Sequence, residues 1–282
     1  MFNNLFLFLS AFQIFSFSAF TTMSSFWDSL MIQKRVIGAL LMREILTRYG
    51  RHNIGFLWLF AEPMIFTLGV TILWNLMNHH APDSISITAF VLTGYSTILL
   101  WRNMPGRCVG AMQPNLSLMY HRQVIPLDVF VSRIILEGAG ATISLVILSI
   151  AFCGFGLVVP PEDYLKVISG WLLLAWFAAS LSFFIGAFSE RSELIDKFWH
   201  PITYLLLPLS GSMFMVDPLP PAAQEMALLM PTVSCIELFR EGYLGMGHRW
   251  HYDIPYVVAF NLMLMFFGLA EVRNMSRNLP LN

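Results

Sequence analysis

WRNMPGRCVGAMQPNLSLMYHRQVIPLDVFVSRIILE, residues 101–137, is a polar and basic interruption of an otherwise apolar chain. It carries Arg102, Arg107 and Arg122, and strongly apolar runs flank it on both sides. Arginine-rich loops between membrane spans lie on the cytoplasmic side, by the positive-inside bias. The stretch therefore predicts that the chain leaves the membrane here, exposes a basic surface that a cytosolic partner could bind, and returns.

A short amphipathic helix is predicted inside this basic stretch. Apolar and polar residues alternate from Leu116 to Val124, and Pro126 ends the pattern. Asp128 then falls in the first turn of the next helix, where unpaired amides and the helix dipole favour a carboxylate. An ordinary solvated loop is the alternative interpretation.

The composition indicates an integral membrane protein of the all-α class. Of the 282 residues, 57% are hydrophobic and 12% are charged, whereas roughly 25% are charged in a typical soluble domain. The net charge of −1 carries no information on partners. No nucleic-acid partner is expected.

Hydropathy predicts about six transmembrane helices. Their expected positions are Phe56–Met77, Ile85–Trp101, Leu127–Val158, Leu165–Phe188, Pro201–Val216 and Asp253–Val272. Ahead of them, from Ile32 to Arg51, apolar residues recur at three- and four-residue intervals against five Lys and Arg residues. That pattern is typical of a basic amphipathic helix in the headgroup region.

One transmembrane domain is expected, over residues 32–277, with an apolar amino-terminal extension of residues 1–31 and a tail of residues 278–282. Residues 1–22 lack the basic start and the small-residue cleavage site of a secretory signal. Their apolar run is also shorter than the roughly 20 residues of a span. They are left out of the span count, either as a segment on the membrane surface or as an upstream extension.

The distribution of Lys and Arg predicts that both termini are cytoplasmic. With the amino terminus inside, the cytoplasmic segments contain twelve of these residues and the outer loops three, with Arg133 inside the third span. The twelve are Lys34, Arg35, Arg43, Arg48, Arg51, Arg102, Arg107, Arg122, Arg191, Lys197, Arg273 and Arg277, and the three are Lys166, Arg240 and Arg249. This split follows the positive-inside bias.

The segment Asp217–Gly247 is too apolar for a free outer loop, and prolines divide it into pieces. Thr232 or Ser234 can cap a helix that ends at Tyr243, with Glu237 three residues beyond Ser234 as in a capping box. Such a helix is about 15 Å long and cannot cross an apolar core of about 30 Å. We therefore expect outer re-entrant helices.

Three ionisable residues are predicted at membrane depth: Glu62, Arg133 and Glu137. Charged groups in a span are costly and usually face the bundle interior. Arg133 and Glu137 stand four residues apart on one helix and can pair directly, either as a structural ion pair or with a role in gating. Glu62 could accept hydrogen bonds freed by Pro63 or face the amphipathic helix.

Motifs of ATP hydrolysis and metal binding are absent from the sequence. There is no phosphate loop, no G-x-G-x-x-G after a strand and no H-E-x-x-H, so the chain is not expected to be an enzyme, and ATP-driven transport would need a separate ATPase. Cys108, Cys153 and Cys235 are too widely spaced for a disulfide framework or a zinc site. No metal site is expected.

Three stretches of the chain carry a family resemblance. They are VIGALLMREILTRYGRHNIGFLWLFAEP at residues 36–63, GAMQPNLSLMYHRQVIPLDVFVSRIILE at 110–137 and MPTVSCIELFREGYLG at 230–245. Together they resemble the membrane subunit of the ABC transporters that export capsular polysaccharide from Gram-negative bacteria. The likeness covers nearly all of the chain after Met23, while the first 22 residues depart from the pattern.

The resemblance implies that two copies of the chain pair with two cytosolic ATPase subunits, which bind ATP and Mg²⁺, so no cofactor is expected in this chain. It also implies that a lipid-linked polysaccharide crosses the inner membrane in a conduit between the permeases, among membrane lipids, with periplasmic and outer-membrane export proteins as further partners. The family's entry helix falls on Ile32–Gly50, its coupling region on Gly106–Val124 and its outer re-entrant helices on Asp217–Gly245. Candidate contacts to the ATPase are Arg107, Tyr120, His121 and Arg122.

A conduit for sugar chains would suit aromatic side chains, because the C–H face of a pyranose ring stacks on an aromatic ring. An interfacial belt or ordinary packing is the alternative for each of them. Glu237 and Arg240, on one face of the short outer helix, would meet water or the sugar chain if that helix rims the mouth. The candidate conduit residues are Trp58, Trp74, Tyr95, Tyr204, Glu237 and Arg240.

Other functions compatible with the sequence are export of O-antigen or another lipid-linked glycan, a secondary transporter in which Glu62 or Glu137 carries a proton, and a structural membrane scaffold.

Overall fold

The computed structural model describes residues 27–48, 57–77, 85–119, 124–245 and 247–278, and no strand occurs among them. The helices are α1 (residues 27–48), α2 (Trp58–Leu76), α3 (Ile87–Cys108), a 3₁₀ turn (Gln113–Asn115), α4 (Leu116–Met119), α5 (Pro126–Gly154), α6 (Tyr164–Ser189), α7 (Glu193–Leu206), α8 (Pro221–Leu228), α9 (Pro231–Leu244) and α10 (Ile254–Asn278). The predicted all-α class is confirmed.

Within the described residues, α5, α6 and α10 are long and apolar enough to cross a membrane, by length and composition. The apolar run of α2, Phe60–Leu76, is shorter. α3 has 22 residues, which gives a length of about 33 Å. A count of six spans stays a prediction.

Helix α6 lies at the centre of the fold and packs against α3, α9 and α10. Its contact with α9 is close enough to require glycine on both helices. A Cβ on Gly170 would lie 2.6 Å from the backbone nitrogen of Phe239, and one on Gly242 would lie 2.7 Å from the carbonyl oxygen of Asp163. Small residues of this kind let helix backbones approach closely in membrane proteins.

Helix α3 continues seven residues beyond the predicted end of the second span. Arg102 and Arg107 therefore belong to a helix, and the expected loop begins only after Cys108. The reason is burial on one face, since Trp101, Met104 and Cys108 recur at helical spacing and are all buried. Burial of this apolar face stabilises the helix as far as Cys108, although Arg102 and Arg107 are polar.

The predicted fifth span, Pro201–Val216, is wrong as a single helix. α7 begins at Glu193 and ends at Leu206, with Pro201 inside it, and residues 207–219 form turns. The reason is that the main-chain carbonyls of Gly211 and Phe214 accept hydrogen bonds from the side chain of Arg240. A regular helix would direct those carbonyls along its own axis.

The predicted short helix is present as α9, while its position at the outer face stays a prediction, and the predicted capping box is wrong. α9 is a 14-residue helix whose N-cap is Met230, with proline at the first position, where a missing amide hydrogen costs nothing. Ser234 lies inside the helix, and its hydroxyl accepts a hydrogen bond from the backbone of Asp253 at 3.4 Å. Glu237 accepts from the amides of Val216 and His251 instead.

Candidate functional site

The amphipathic helix α1 docks on the start of α5 rather than presenting its whole polar face to lipid headgroups. The structure describes it over residues 27–48, so residues 49–51 of the predicted helix lie outside the described residues. Leu40 is buried in a core that includes Cys108 and Phe130. On the polar side, Gln33 donates to the carboxylate of Asp128. α1 is therefore fixed to the bundle by apolar and polar contacts together.

Each charge predicted at depth in the third span pairs with α1, and the predicted Arg133–Glu137 pair is wrong. Arg133 Nε lies 3.4 Å from Glu44 Oε1, and Glu137 pairs with Arg48. A direct pair on α5 would leave the two α1 charges uncompensated at the interface, whereas the observed pairing places an opposite charge beside each of the four.

Glu137 also joins α3 to this network. Arg107 Nε lies 3.5 Å from Glu137 Oε1, and the carboxylate side chain is only 10% exposed. The carbonyl oxygen of Arg107 accepts a hydrogen bond of 2.5 Å from Arg133 Nη1. One carboxylate between two arginines thus ties α1, α3 and α5 at the point where the connecting segment begins.

The segment that connects α3 to α5 is held from two sides. On one side Arg43 of α1 binds the Asn115 side chain and donates to the carbonyl of Pro114 at 3.1 Å. On the other side the Glu190 carboxylate, just after α6, accepts from the amide of Met112 at 2.9 Å. Burial raises the pKa of Glu190, and the Met112 amide offsets part of that rise.

The exposed part of this segment is small. Gln113, Pro114 and Ser117 are exposed, whereas Met112 and Met119 are buried beneath them. The segment therefore presents a compact polar turn on a fixed apolar base. Further along, the Asp128 carboxylate accepts from the Ile125 amide at 3.1 Å, which confirms the prediction of a favourable first turn in α5.

Of the predicted contacts to an ATPase, only one falls in the described part of the chain. Tyr120, His121 and Arg122 lie outside the described residues. Arg107 lies in the last turn of α3 with its side chain 42% exposed, so it can serve its ion pair and a partner at once.

The aromatic candidates do not form a single track. Trp74 and Tyr95 come together across α2 and α3, with ring centroids 6.4 Å apart. Tyr204 lies elsewhere, with the guanidinium of Arg102 at 4.3 Å from its ring centroid. Trp58 is 52% exposed on α2.

Glu62 lies on the exposed side of α2. Among the described residues, none forms a hydrogen bond or ion pair with its carboxylate. The described residues therefore support neither role predicted for Glu62, which were to accept hydrogen bonds freed by Pro63 or to face the amphipathic helix.

The pair Glu237 and Arg240 is buried inside the chain, which contradicts the prediction that this face meets water or a sugar chain. Arg240 has no exposed surface. Its Nη1 donates to the carbonyls of Gly211 at 2.8 Å and Phe214 at 2.6 Å, and its Nη2 donates to that of Ser212.

Gly94 of α3 makes room for this contact, because a Cβ there would lie 2.3 Å from the Ser212 carbonyl oxygen. Arg240 therefore holds the turns after α7 against α3 and α9.

Several contacts that build the site had no signal in the sequence. Asn115 and Glu190 act as acceptors for groups far away along the chain, and no local pattern marks an acceptor of that kind. The basic residues Arg43 and Arg48 were visible in the α1 pattern, but their partners were not.

Comparison with known proteins identifies the family. The model of the ABC-2 type transporter family matches residues 35–244, a range that includes the part of α1 from residue 35 onward, the connecting segment and the Arg240 contacts. The chain belongs to the ABC-2 type transporter family. As an ABC-2 member it is 44% identical over 254 residues to the capsule polysaccharide export inner-membrane protein CtrC of Neisseria meningitidis serogroup B, a match that covers 90% of this chain and 96% of that protein.

Two further relatives of this ABC-2 chain extend the comparison. The capsule polysaccharide export inner-membrane protein BexB of Haemophilus influenzae is 40% identical over 256 residues, covering 91% of this chain and 97% of its own length. The polysialic acid transport protein KpsM of Escherichia coli is 27% identical over 250 residues, covering 86% and 94%.

Proposed function

We propose that this chain is the permease subunit of an ATP-driven exporter that moves lipid-linked capsular polysaccharide across the bacterial inner membrane. The observation that carries the proposal is the 44% identity to CtrC over 96% of its length. The chain is the membrane part of an ABC-2 transporter and has no ATP-binding motif. ATP and Mg²⁺ therefore bind to a separate ATPase subunit.

The ATPase contact in this proposal is the segment between α3 and α5. Its exposed turn, at Gln113, Pro114 and Ser117, stands on residues fixed by Arg43 of α1 and Glu190 after α6. Movement of an ATPase subunit bound to that turn would therefore be transmitted to α1 through Arg43 and to the end of α6 through Glu190. Tyr120, His121 and Arg122 continue the same contact in the proposal, since an aromatic anchor and a guanidinium often dominate interfaces.

Cross-linking tests this contact. Tyr120→Cys should cross-link to an ATPase subunit that carries a cysteine in its facing cleft. Arg122→Glu should reduce surface polysaccharide without reducing the amount of membrane-inserted protein, because it reverses a charge at the interface. Export unaffected by this reversal would argue against the assignment.

The proposed complex contains a second copy of the chain, two ATPase subunits, and periplasmic and outer-membrane export proteins. The proposed topology has six spans and both termini in the cytoplasm, supported by the split of twelve to three in Lys and Arg. Reporter fusions at Asn282 and at His80 should respond as inside and outside. A carboxyl-terminal fusion that reports the outside would overturn the span count.

Deletion and complementation test the function itself. Cells without this chain should lose surface capsule and accumulate polymer inside, and the wild-type chain should restore export and co-purify with a nucleotide-hydrolysing subunit. Measuring O-antigen in the same cells separates the second candidate, a permease for another lipid-linked glycan. Unchanged capsule together with lost O-antigen would favour that candidate. Proton transport through Glu137 is disfavoured because its carboxylate is engaged by Arg48 and Arg107.

A further inference from the structure

The carboxyl-terminal end of α10 extends beyond the apolar core of a membrane. α10 has 25 residues and a length of about 37 Å, against an apolar core of about 30 Å. Measured from Ile254, the core ends near Arg273. The last turns of α10 therefore lie at the depth of the lipid headgroups, in the cytoplasmic leaflet if the proposed topology holds.

One face of α10 changes from apolar to basic at this depth. Phe266 is 70% exposed and Leu269 is 40% exposed. Arg273, Asn274 and Arg277 are also exposed, and all five line one open recess on the surface. Because residues three and four apart share a helix face, the recess has an apolar wall in the membrane and a basic rim at the headgroup level.

The electrostatics of the recess favour an anion. Glu271 is the one carboxylate among the described residues that line it, and its Oε2 lies 2.9 Å from Arg191 Nη1. That ion pair leaves the two arginines of the rim without a carboxylate partner among the described residues. The rim therefore carries net positive charge in a place where water and headgroups meet.

We propose that this recess binds one anionic phospholipid of the bilayer. Arg273 and Arg277 bind the headgroup phosphate, which matches the planar donor geometry of a guanidinium. The amide of Asn274 donates a further hydrogen bond, and an acyl chain lies along Phe266 and Leu269. A free phosphate ion would bind at the basic rim but would leave the apolar wall empty. This difference distinguishes a bound phospholipid from a bound phosphate ion.

Lipid binding by the full chain tests the proposal. The purified chain, immobilised and freed of lipid, is equilibrated with mixed micelles that contain tritiated phosphatidylglycerol or phosphatidylcholine with the same acyl chains, and retained lipid is counted. We expect the wild type to prefer phosphatidylglycerol by roughly fivefold or more, since a basic residue at a membrane surface strengthens attraction to anionic lipid. The double variant Arg273→Gln, Arg277→Gln should lose most of this preference. The control Arg249→Gln, at an exposed arginine after α9, should keep it.

Two measurements on the wild type decide the matter even if the double variant fails to fold. Sodium chloride should reduce the preference, because salt screens exposed charges. Inorganic phosphate at the same molar concentration as the lipid should displace almost none of it, because a free phosphate contacts the basic rim but not the apolar wall. Equal binding of the two lipids by the wild type, a folded double variant that keeps the preference, or displacement of most of the lipid by equimolar phosphate would each overturn the proposal.

Discussion

Arg240 reaches from α9 to α3, where its guanidinium carbon lies 4.4 Å from the centroid of the Phe90 ring. The same guanidinium donates to main-chain carbonyls in the turns after α7. A cation over an aromatic face gains most when it is desolvated, and Arg240 is fully buried. One side chain therefore joins three separate parts of the protein: α3, α9 and the turns after α7.

Arg240→Lys should destabilise the protein strongly. An ammonium cannot reproduce a planar fork that serves several carbonyls at once, and each buried carbonyl left without its donor typically costs about 1–3 kcal/mol. The midpoint of thermal unfolding in detergent should fall well below that of the wild type. Arg249→Lys, at an exposed arginine, is the matched control and should leave the midpoint unchanged. Equal midpoints for the two variants would refute the role of Arg240.

Gly94→Ala should also destabilise the protein, through packing alone. The added Cβ would lie 2.3 Å from the carbonyl oxygen of Ser212, and overpacking of this kind costs about 1–3 kcal/mol. Gly69→Ala is the control, because no heavy atom lies within 4 Å of a Cβ at that position of α2. Alanine there should be neutral or slightly stabilising. The unfolding midpoint of each variant checks this difference, and similar losses in both would contradict it.

Arg48 and Glu137 should behave as a coupled pair. Arg48→Gln and Glu137→Gln should each lower the unfolding midpoint, and the double variant should lower it by less than the sum, because the pair is largely buried. Lys197 and Glu193 form an exposed pair with side chains 69% and 90% exposed. Neutralising both of these should give nearly additive and small effects. An additive result for the first pair would show that its contact does not contribute.

Arg133→Glu should reduce the amount of protein and its export, and adding Glu44→Arg, which exchanges the two charges, should restore both in part. Arg133→Glu alone places two carboxylates together and loses the hydrogen bond to the Arg107 carbonyl. Adding Glu44→Arg re-forms an ion pair but not that hydrogen bond. Membrane-inserted protein and surface polysaccharide should therefore fall in the single variant and recover in part in the double. A double variant no better than the single would count against this contact.

The apolar helices could be predicted from the sequence because each depends on residues close together in the chain. α5, α6 and α10 follow from hydropathy over one window, and α1 follows from apolar residues at three- and four-residue intervals. The predicted membrane helix over residues 201–216 failed for the opposite reason. Its apolar composition favours a span, but its backbone turns to serve Arg240, which follows Gly211 by 29 residues. A hydropathy window contains no information about a hydrogen-bond donor so far away along the chain.

The charges of the candidate site show the same difference between what nearby residues determine and what distant residues determine. Arg133 and Glu137 both form ion pairs, yet the four-residue spacing on one helix predicted the wrong partners for them. Glu137 pairs with Arg48, 89 residues earlier, and only the docking of α1 on α5 brings them together. Glu237 and Arg240 were likewise identified as sharing a face, but burial of that face depends on residues 207–216, which the sequence predicted to be a membrane helix.

The choice of acceptors by Arg240 has a consequence for how the protein tolerates variation. Main-chain carbonyls exist whatever side chain a residue carries, so substitutions at Ser212 or Phe214 leave these acceptors in place. Gly211 is less free, since its φ of +85° suits glycine. Random mutagenesis should therefore find Phe214 permissive, while the arginine itself admits no substitute. Ser212 is constrained separately, because it is buried and its hydroxyl contacts Ser210 and Thr97.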